Sequence, residues 1–156
     1  MGVINESLEM VPFFKGLLPS EVEILADWVE TRRVPADEMI ITQDMPGGTL
    51  YFLLEGKVSV YSLVGKNQKQ IIKVLSQGES FGLFSFLDGE KHSANVKTET
   101  DCRLLFLKKS DFDALAEKNP ELCTKVLKKL MLILCSYMRQ MDNSFIDMVR
   151  YVVSDR

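Results

Sequence analysis

The strongest constraint on the fold lies near the C-terminus, where apolar residues recur at alternating spacings of four and three. These residues are Leu127, Met131, Leu134, Met138, Met141, Phe145, Met148 and Val152. A seam with this spacing is typical of a helix that packs lengthwise against another helix. Pro120 suits the first turn of such a helix, because a residue there needs no N–H donor. We therefore predict one long helix over residues 120–151.

The length of this helix indicates how its seam is covered. At ~1.5 Å per residue, a helix over 120–151 is roughly 48 Å long. A domain built from the rest of the chain is shorter, so part of the seam projects beyond it. We favour a homodimer in which this seam pairs with that of a second copy. The alternatives are that the seam packs on its own domain or docks on another protein. Four seam residues are methionines, which make the seam adaptable.

Between residues 39 and 107 the chain alternates short β-type runs with glycine-containing turns. The runs span 39–42, 50–54, 58–62, 71–75, 93–98 and 102–107. Within 58–62, Val58 and Val60 alternate with Ser59 and Tyr61, as expected of a half-buried strand. Short, closely spaced strands with such turns indicate a sandwich or a barrel.

Helical segments flank this β region. We predict helical structure over residues 10–34, where Ser20 and Glu23 form a capping-box pattern. A short helix capped by Ser110 is expected to stop before Asn119, since the α conformation is disfavoured for a residue that precedes proline.

The composition limits the classes of function. The net charge is −3 and the pI about 5.3, whereas a nucleic-acid binder usually carries a basic surface. No apolar run is long enough to span a bilayer, and residues 1–18 lack a signal-peptide pattern. The three cysteines are far apart, and the single histidine has no close cysteine pair. We therefore expect reduced thiols, a cytoplasmic protein and no metal site.

A further set of motifs recurs in order along the chain. Segment 12–17 reads PFFKGL, segment 50–60 reads LYFLLEGKVSV, segment 75–82 reads LSQGESFG and segment 92–96 reads HSANV. Together they resemble the cyclic nucleotide-binding domain family, which includes bacterial catabolite activator proteins and kinase regulatory subunits. In that family the last two segments open and close a phosphate-binding cassette.

The resemblance implies a mainly β fold with flanking helices. A cyclic-nucleotide-binding-type β-roll (a jelly roll) would occupy residues 1–119, and a long dimerisation helix residues 120–156. It also implies a non-enzymatic regulatory module in signal transduction. Relatives that are transcription factors carry a helix-turn-helix after this helix, and the sequence ends first. We therefore expect no direct DNA binding, and no membrane association.

The family pocket uses a short helix whose N-terminal amides point at the cyclic phosphate, an arginine that pairs with the phosphate, and a glutamate that accepts from the ribose hydroxyl. The matching positions here are Phe81, Gly82, Leu83, Phe84, Ser85, His92, Ser93 and Ala94. Leu83 replaces the glutamate and His92 replaces the arginine. In the turn after Gln43, Asp44-Met45 also replaces the usual Gly-Asp.

The two replacements predict weak or altered binding of cAMP and cGMP. An unpaired buried hydroxyl costs ~1–3 kcal/mol, and a lost charged partner ~1.5–3 kcal/mol. Together this is roughly two to four decades of affinity. His92 has two interpretations. An anionic ligand could favour the protonated imidazole, which takes its proton from solvent, and so bind better near pH 6 than pH 8, or His92 could be a solvated residue at a strand end.

Other classes of function stay open. One is a dimeric interaction scaffold whose pocket is filled by Leu83; another is a sensor in which Leu83, Phe84 and Phe86 accommodate a less polar ligand. A haem-type sensor with His92 as ligand is less favoured, so no cofactor is expected beyond a cyclic nucleotide or other small ligand. An enzyme is not expected, because the sequence has no P-loop and no catalytic cluster.

Overall fold

The β region forms two four-stranded antiparallel sheets in the computed structural model, which describes the backbone of residues 2–154 and the side chains of residues 6–153. Sheet A contains, in spatial order, β1 (Glu30–Val34), β8 (Cys102–Lys108), β3 (Thr49–Glu55) and β6 (Ser80–Phe81). Sheet B contains β2 (Met39–Ile41), β7 (Asn95–Thr98), β4 (Val58–Val64) and β5 (Gln68–Leu75). The predicted mainly β class is confirmed.

One hydrophobic core joins the two sheets. Leu53, Leu104 and Phe81 come from sheet A, and Val58 and Val96 come from sheet B. Leu53 and Val58 are completely buried, and burial of each such side chain stabilises the fold by ~1.5–3 kcal/mol. Their strands alternate inward and outward residues, which is why the apolar runs of the sequence predicted strands here.

Helices precede, interrupt and follow the strands. They are α1 (Gly2–Met10), a 3₁₀ turn (Pro12–Phe14), α2 (Pro19–Ala26), α3 (Leu83–Asp88), α4 (Lys109–Lys118) and α5 (Pro120–Ser154). The chain divides into two compact units, residues 1–118 and residues 119–156. Within the described residues, no helix is both long enough and apolar enough to cross a bilayer.

The prediction of helix over 10–34 is wrong in its last part, which forms β1. This strand pairs with β8 from Glu30 opposite Phe106 to Val34 opposite Cys102. It lies at the edge of sheet A, and only Val34 of its five residues is buried. Since the other side chains are all exposed, the strand has no alternation of apolar and polar residues that the sequence could reveal.

The helix starts also differ from the sequence prediction. The N-cap of α2 is Leu18, whose N–H donates to the Glu21 carboxylate at 2.8 Å. Ser20 therefore lies inside the first turn and does not cap it. Helix α4 begins at Lys109, so Ser110 is likewise inside the first turn. The N-cap of α2 is thus a leucine, a residue that ranks far below serine as a cap.

The predicted long helix is confirmed: α5 begins at Pro120 and extends to Ser154. Asn119 caps it, because its side-chain oxygen accepts a hydrogen bond from the Leu122 N–H at 3.1 Å. Most of the predicted seam is open to solvent, with Met138 66%, Met141 69% and Phe145 62% exposed. The pairing of this seam with a second copy stays a prediction.

Strand β5 forms the edge of sheet B next to β4. A β-bulge interrupts the pairing between Val60 and Tyr61 of β4 and their partners on β5. On β5, Ile71, Ile72 and Val74 are at least half exposed. The edge therefore carries apolar side chains together with backbone N–H and C=O groups that do not pair with β4.

Candidate functional site

The predicted cassette begins at Gly82, between β6 and α3. Gly82 has φ +78°, and a Cβ atom placed on it would lie 2.5 Å from the Thr49 carbonyl oxygen. Only glycine fits both this conformation and this close approach of backbone. Next to it the rings of Phe81 and Tyr51 stack 4.9 Å apart on neighbouring strands. This turn therefore has one defined conformation, from which α3 starts.

Helix α3 turns one apolar face into the β-roll domain. Leu83 is 2% exposed and Phe86 1% exposed, and the Phe86 ring lies 5.6 Å from the ring of Phe112 on α4. Phe84, by contrast, is 54% exposed. Of the three side chains that the sequence suggested for an apolar ligand, Leu83 and Phe86 are thus buried in packing and Phe84 faces solvent.

Ser85 and His92 form a contact within the cassette. The Ser85 Oγ and the His92 Nδ1 lie 2.8 Å apart, which is hydrogen-bond distance. Ser85 is 4% exposed and His92 is half-buried. The His92 ring is therefore only partly solvated, because α3 supplies a partner to it. Ser93 is exposed and Ala94 half-buried in the segment that follows.

The turn after Gln43 pairs with the same segment. The Asp44 N–H donates to the His92 carbonyl at 2.9 Å, and the His92 N–H donates to the Met45 carbonyl at 3.0 Å. The Gln43 N–H donates to the Asn95 side-chain oxygen at 2.9 Å. This turn, in which the sequence departs from the family pattern, therefore holds the closing segment of the cassette in place.

Gly47 packs against Ser85 and His92, which contact each other. The sequence did not identify it as a site residue. A Cβ atom placed on it would lie 2.1 Å from the Ser85 Cβ and 3.1 Å from the His92 Cε1. Its partners lie 38 and 45 residues further along the chain, so no local pattern reveals them. The only available signal was the Gly47-Gly48 pair next to an atypical turn.

We expect Gly47→Ala to destabilise the protein by about 1–3 kcal/mol, because the added methyl group overlaps the Ser85 side chain. Chemical denaturation gives the free energy of unfolding. The control is Gly65→Asn, at a left-handed position with open space around it, a conformation that asparagine tolerates. Equal stability of the two variants would contradict the described packing at Gly47.

Burial lowers the pKa of the His92 imidazole below its ordinary value of 6.5, so the neutral form is favoured. The unfolded chain then binds more protons than the folded chain, and stability falls as the pH drops from about 6.5 through the lowered pKa. His92 is the single histidine of the chain. We expect the stability of wild type relative to His92→Gln to decrease from pH 7.5 to pH 5 in urea unfolding. A difference that is constant or grows would contradict a lowered pKa.

A cavity of about 170 Å³ lies elsewhere in the β-roll domain, between β1, β2, β3 and β8. Val34, Leu104 and Ile40 contribute apolar surface, and Arg32 and Lys108 contribute charge. Pockets for drug-sized ligands are usually about 300–1,000 Å³, so this cavity is small for a nucleotide. Its lining contains none of the eight cassette residues predicted from the sequence. Within the described residues, no cluster of three or more His, Cys, Asp or Glu could hold a metal ion.

Comparison with known proteins supports the same fold and family. The family model described as the cyclic nucleotide-binding domain matches residues 31–119. The "Cyclic AMP receptor protein" of Thermus thermophilus is 31% identical over 84% of this chain, and the match spans 59% of that protein's length. The chain therefore spans about three fifths of the length of this relative.

Two solved structures extend the comparison. A cyclic nucleotide-binding domain from Methylobacillus flagellatus is 24% identical, with a TM-score of 0.81 over 93% of this chain and 82% of that one. The regulatory subunit of a cAMP-independent protein kinase A from Trypanosoma cruzi, bound to guanosine, is 26% identical, with a TM-score of 0.68 over 82% of this chain and 44% of that one. On the family match, the strand order and the cassette together, this chain belongs to the cyclic nucleotide-binding domain family.

Proposed function

We propose that this chain is a non-enzymatic regulatory module whose cassette binds cAMP and cGMP much more weakly than a cassette with the family's glutamate and arginine. The proposal is supported by the structure at the two positions where this chain departs from the family, Leu83 and His92. Leu83 is buried where the glutamate is expected, and the His92 ring is held by Ser85 where the arginine is expected.

Leu83 removes an acceptor and also occupies space. Its side chain is 2% exposed, so it is part of the packing of α3. A ribose hydroxyl brought next to it would lose its hydrogen bonds to water and gain none, at a cost of ~1–3 kcal/mol. A ligand that depends on ribose recognition is therefore disfavoured.

His92 does not replace the arginine as a cation at neutral pH. Burial lowers its pKa, so the neutral imidazole is favoured over the cation at pH 7. The tighter binding of an anion at pH 6 than at pH 8, expected from the sequence, is then smaller, and the increase shifts to lower pH. Arginine would offer a charged, forked donor at every pH.

Calorimetric titration of the purified protein with cAMP and cGMP, at pH 6 and pH 8, tests the proposal. We expect no saturation below about millimolar ligand, since a loss of two to four decades moves a micromolar site into that range. Saturable micromolar binding would show that backbone amides alone suffice, and the proposal would then be wrong.

A nucleoside is a second candidate ligand. It carries no phosphate, so it does not need the missing arginine and bears only the cost of its ribose next to Leu83; the Trypanosoma cruzi relative is described as bound to guanosine. Guanosine and adenosine therefore belong in the same titration. Binding of either nucleoside with an affinity above that of cAMP would favour this candidate over a pocket without a ligand.

We also propose that the module is a cytoplasmic homodimer held by the seam of α5, without direct DNA binding of its own. The exposed side chains of Met138, Met141 and Phe145 support the dimer, because apolar surfaces of this length on a helix favour association. The three cysteines form no disulfide with one another, which suits a reducing compartment.

A further inference from the structure

The imidazole of His92 is held from several directions at once. Its backbone N–H and carbonyl both pair with the turn at Asp44 and Met45. Its Nδ1 lies 2.8 Å from the Ser85 Oγ. Gly47 packs so closely against Ser85 and the ring that a single added carbon would overlap. The ring is thus enclosed between this turn and α3.

Ser85 is itself fixed, so it is a firm partner for the ring. It is 4% exposed, and its carbonyl accepts a hydrogen bond from the Gly89 N–H at 3.0 Å. On either side of it Leu83 and Phe86 are buried, which prevents α3 from rotating about its axis. Reorienting the imidazole toward a ligand would break the bond to Ser85 and leave a buried hydroxyl unpaired.

We propose that Ser85 is a specificity-determining residue: its hydroxyl holds the His92 imidazole within the protein, so that the ring is not offered to a phosphate as a partner. This inference rests on the proposed function and names the residue that enforces it. The bond also links the closing segment of the cassette to α3.

The test uses the single histidine of the chain as a spectroscopic reporter. Proton NMR of the imidazole C–H signals gives the pKa of His92 directly, in the full chain, with and without cAMP. Other charged groups on the facing elements are Asp44 in the turn, Asp88 on α3, and Glu90 and Lys91 before the histidine, and all are exposed. The Ser85 substitution leaves each of them in place.

In Ser85→Ala the ring is free to turn toward solvent, so we expect the pKa of His92 to move toward about 6.5 and cAMP to raise it further. We expect cAMP to bind about tenfold more tightly at pH 6 than it binds wild type, a change of one decade in affinity. The gain should be absent in Ser85→Ala/His92→Gln. Ser20→Ala, an exposed serine on α2, is the matched control and should behave as wild type.

The possible outcomes separate this inference from the proposed function. Micromolar binding of cAMP by wild type would overturn the proposed function. Weak binding by wild type, with an unchanged His92 signal and unchanged affinity in Ser85→Ala, would overturn the role of Ser85 alone. If Ser85→Ala fails to fold, Ser85→Cys, which fills the same space with a weaker hydrogen-bonding group, serves in its place under the same criteria.

Discussion

The double variant Leu83→Glu/His92→Arg should bind cAMP about two to four decades more tightly than wild type. Glutamate provides the acceptor that a ribose hydroxyl needs, worth ~1–3 kcal/mol, and arginine provides a charged partner for the phosphate, worth ~1.5–3 kcal/mol. Gly82 and the start of α3 already have a defined conformation, so these two side chains join an existing backbone frame. Calorimetry with cAMP measures the change.

The matched control is Leu83→Gln/His92→Lys, which places polar groups of similar size at both positions but lacks the carboxylate and the forked donor. It should gain less than the glutamate–arginine pair. Because position 83 is buried, the carboxylate lowers stability in the absence of ligand, and circular dichroism must first show that the variant folds. A folded double variant with unchanged affinity would mean that other residues limit binding.

Met138→Glu should weaken self-association of the chain by about two decades or more in dissociation constant. Met138 lies in the middle of the seam and is 66% exposed in the single chain. In a symmetric dimer the substitution acts twice, and each buried methionine contributes ~1.5–3 kcal/mol, so ~3–6 kcal/mol is lost before any charge repulsion. Sedimentation velocity over a range of micromolar concentrations gives the dissociation constant.

Leu132→Glu is the matched control for this prediction. Leu132 is equally apolar and 70% exposed, but it lies outside the four-three repeat of the seam. We expect it to leave the dimer intact. A monomeric wild type, or equal weakening by both substitutions, would show that the seam does not pair with a second copy.

The fold was predictable from the sequence because its strands and its last helix carry strong periodic signals. The runs at 50–54 and 102–107 lie within β3 and β8, since their apolar residues are central to the domain. The heptad-like seam predicted α5 to within three residues at its C-terminal end. By contrast, β1 and β6 were missed, because one is an exposed edge and the other has only two residues.

The site was predictable only where the identity of a single residue, compared with the family pattern, indicates its role. Gly82 and the replaced positions Leu83 and His92 follow from the family pattern. The partner of His92 does not, because the pairing of Ser85 with the ring depends on how α3 leaves Gly82. The contact of Gly47 depends on the pairing of two segments that are distant in sequence.

The edge strand β5 poses a hazard that the inner strands of sheet B, β7 and β4, do not. An exposed edge with isoleucine and valine side chains can act as a template for a strand of another molecule, and so begin aggregation. The bulge opposite Val60 and Tyr61 interrupts the flat surface that such growth requires, and Lys73 places a charge between Ile72 and Val74. Replacement of this lysine by an apolar residue should therefore lower solubility at high protein concentration more than it changes the stability of the fold.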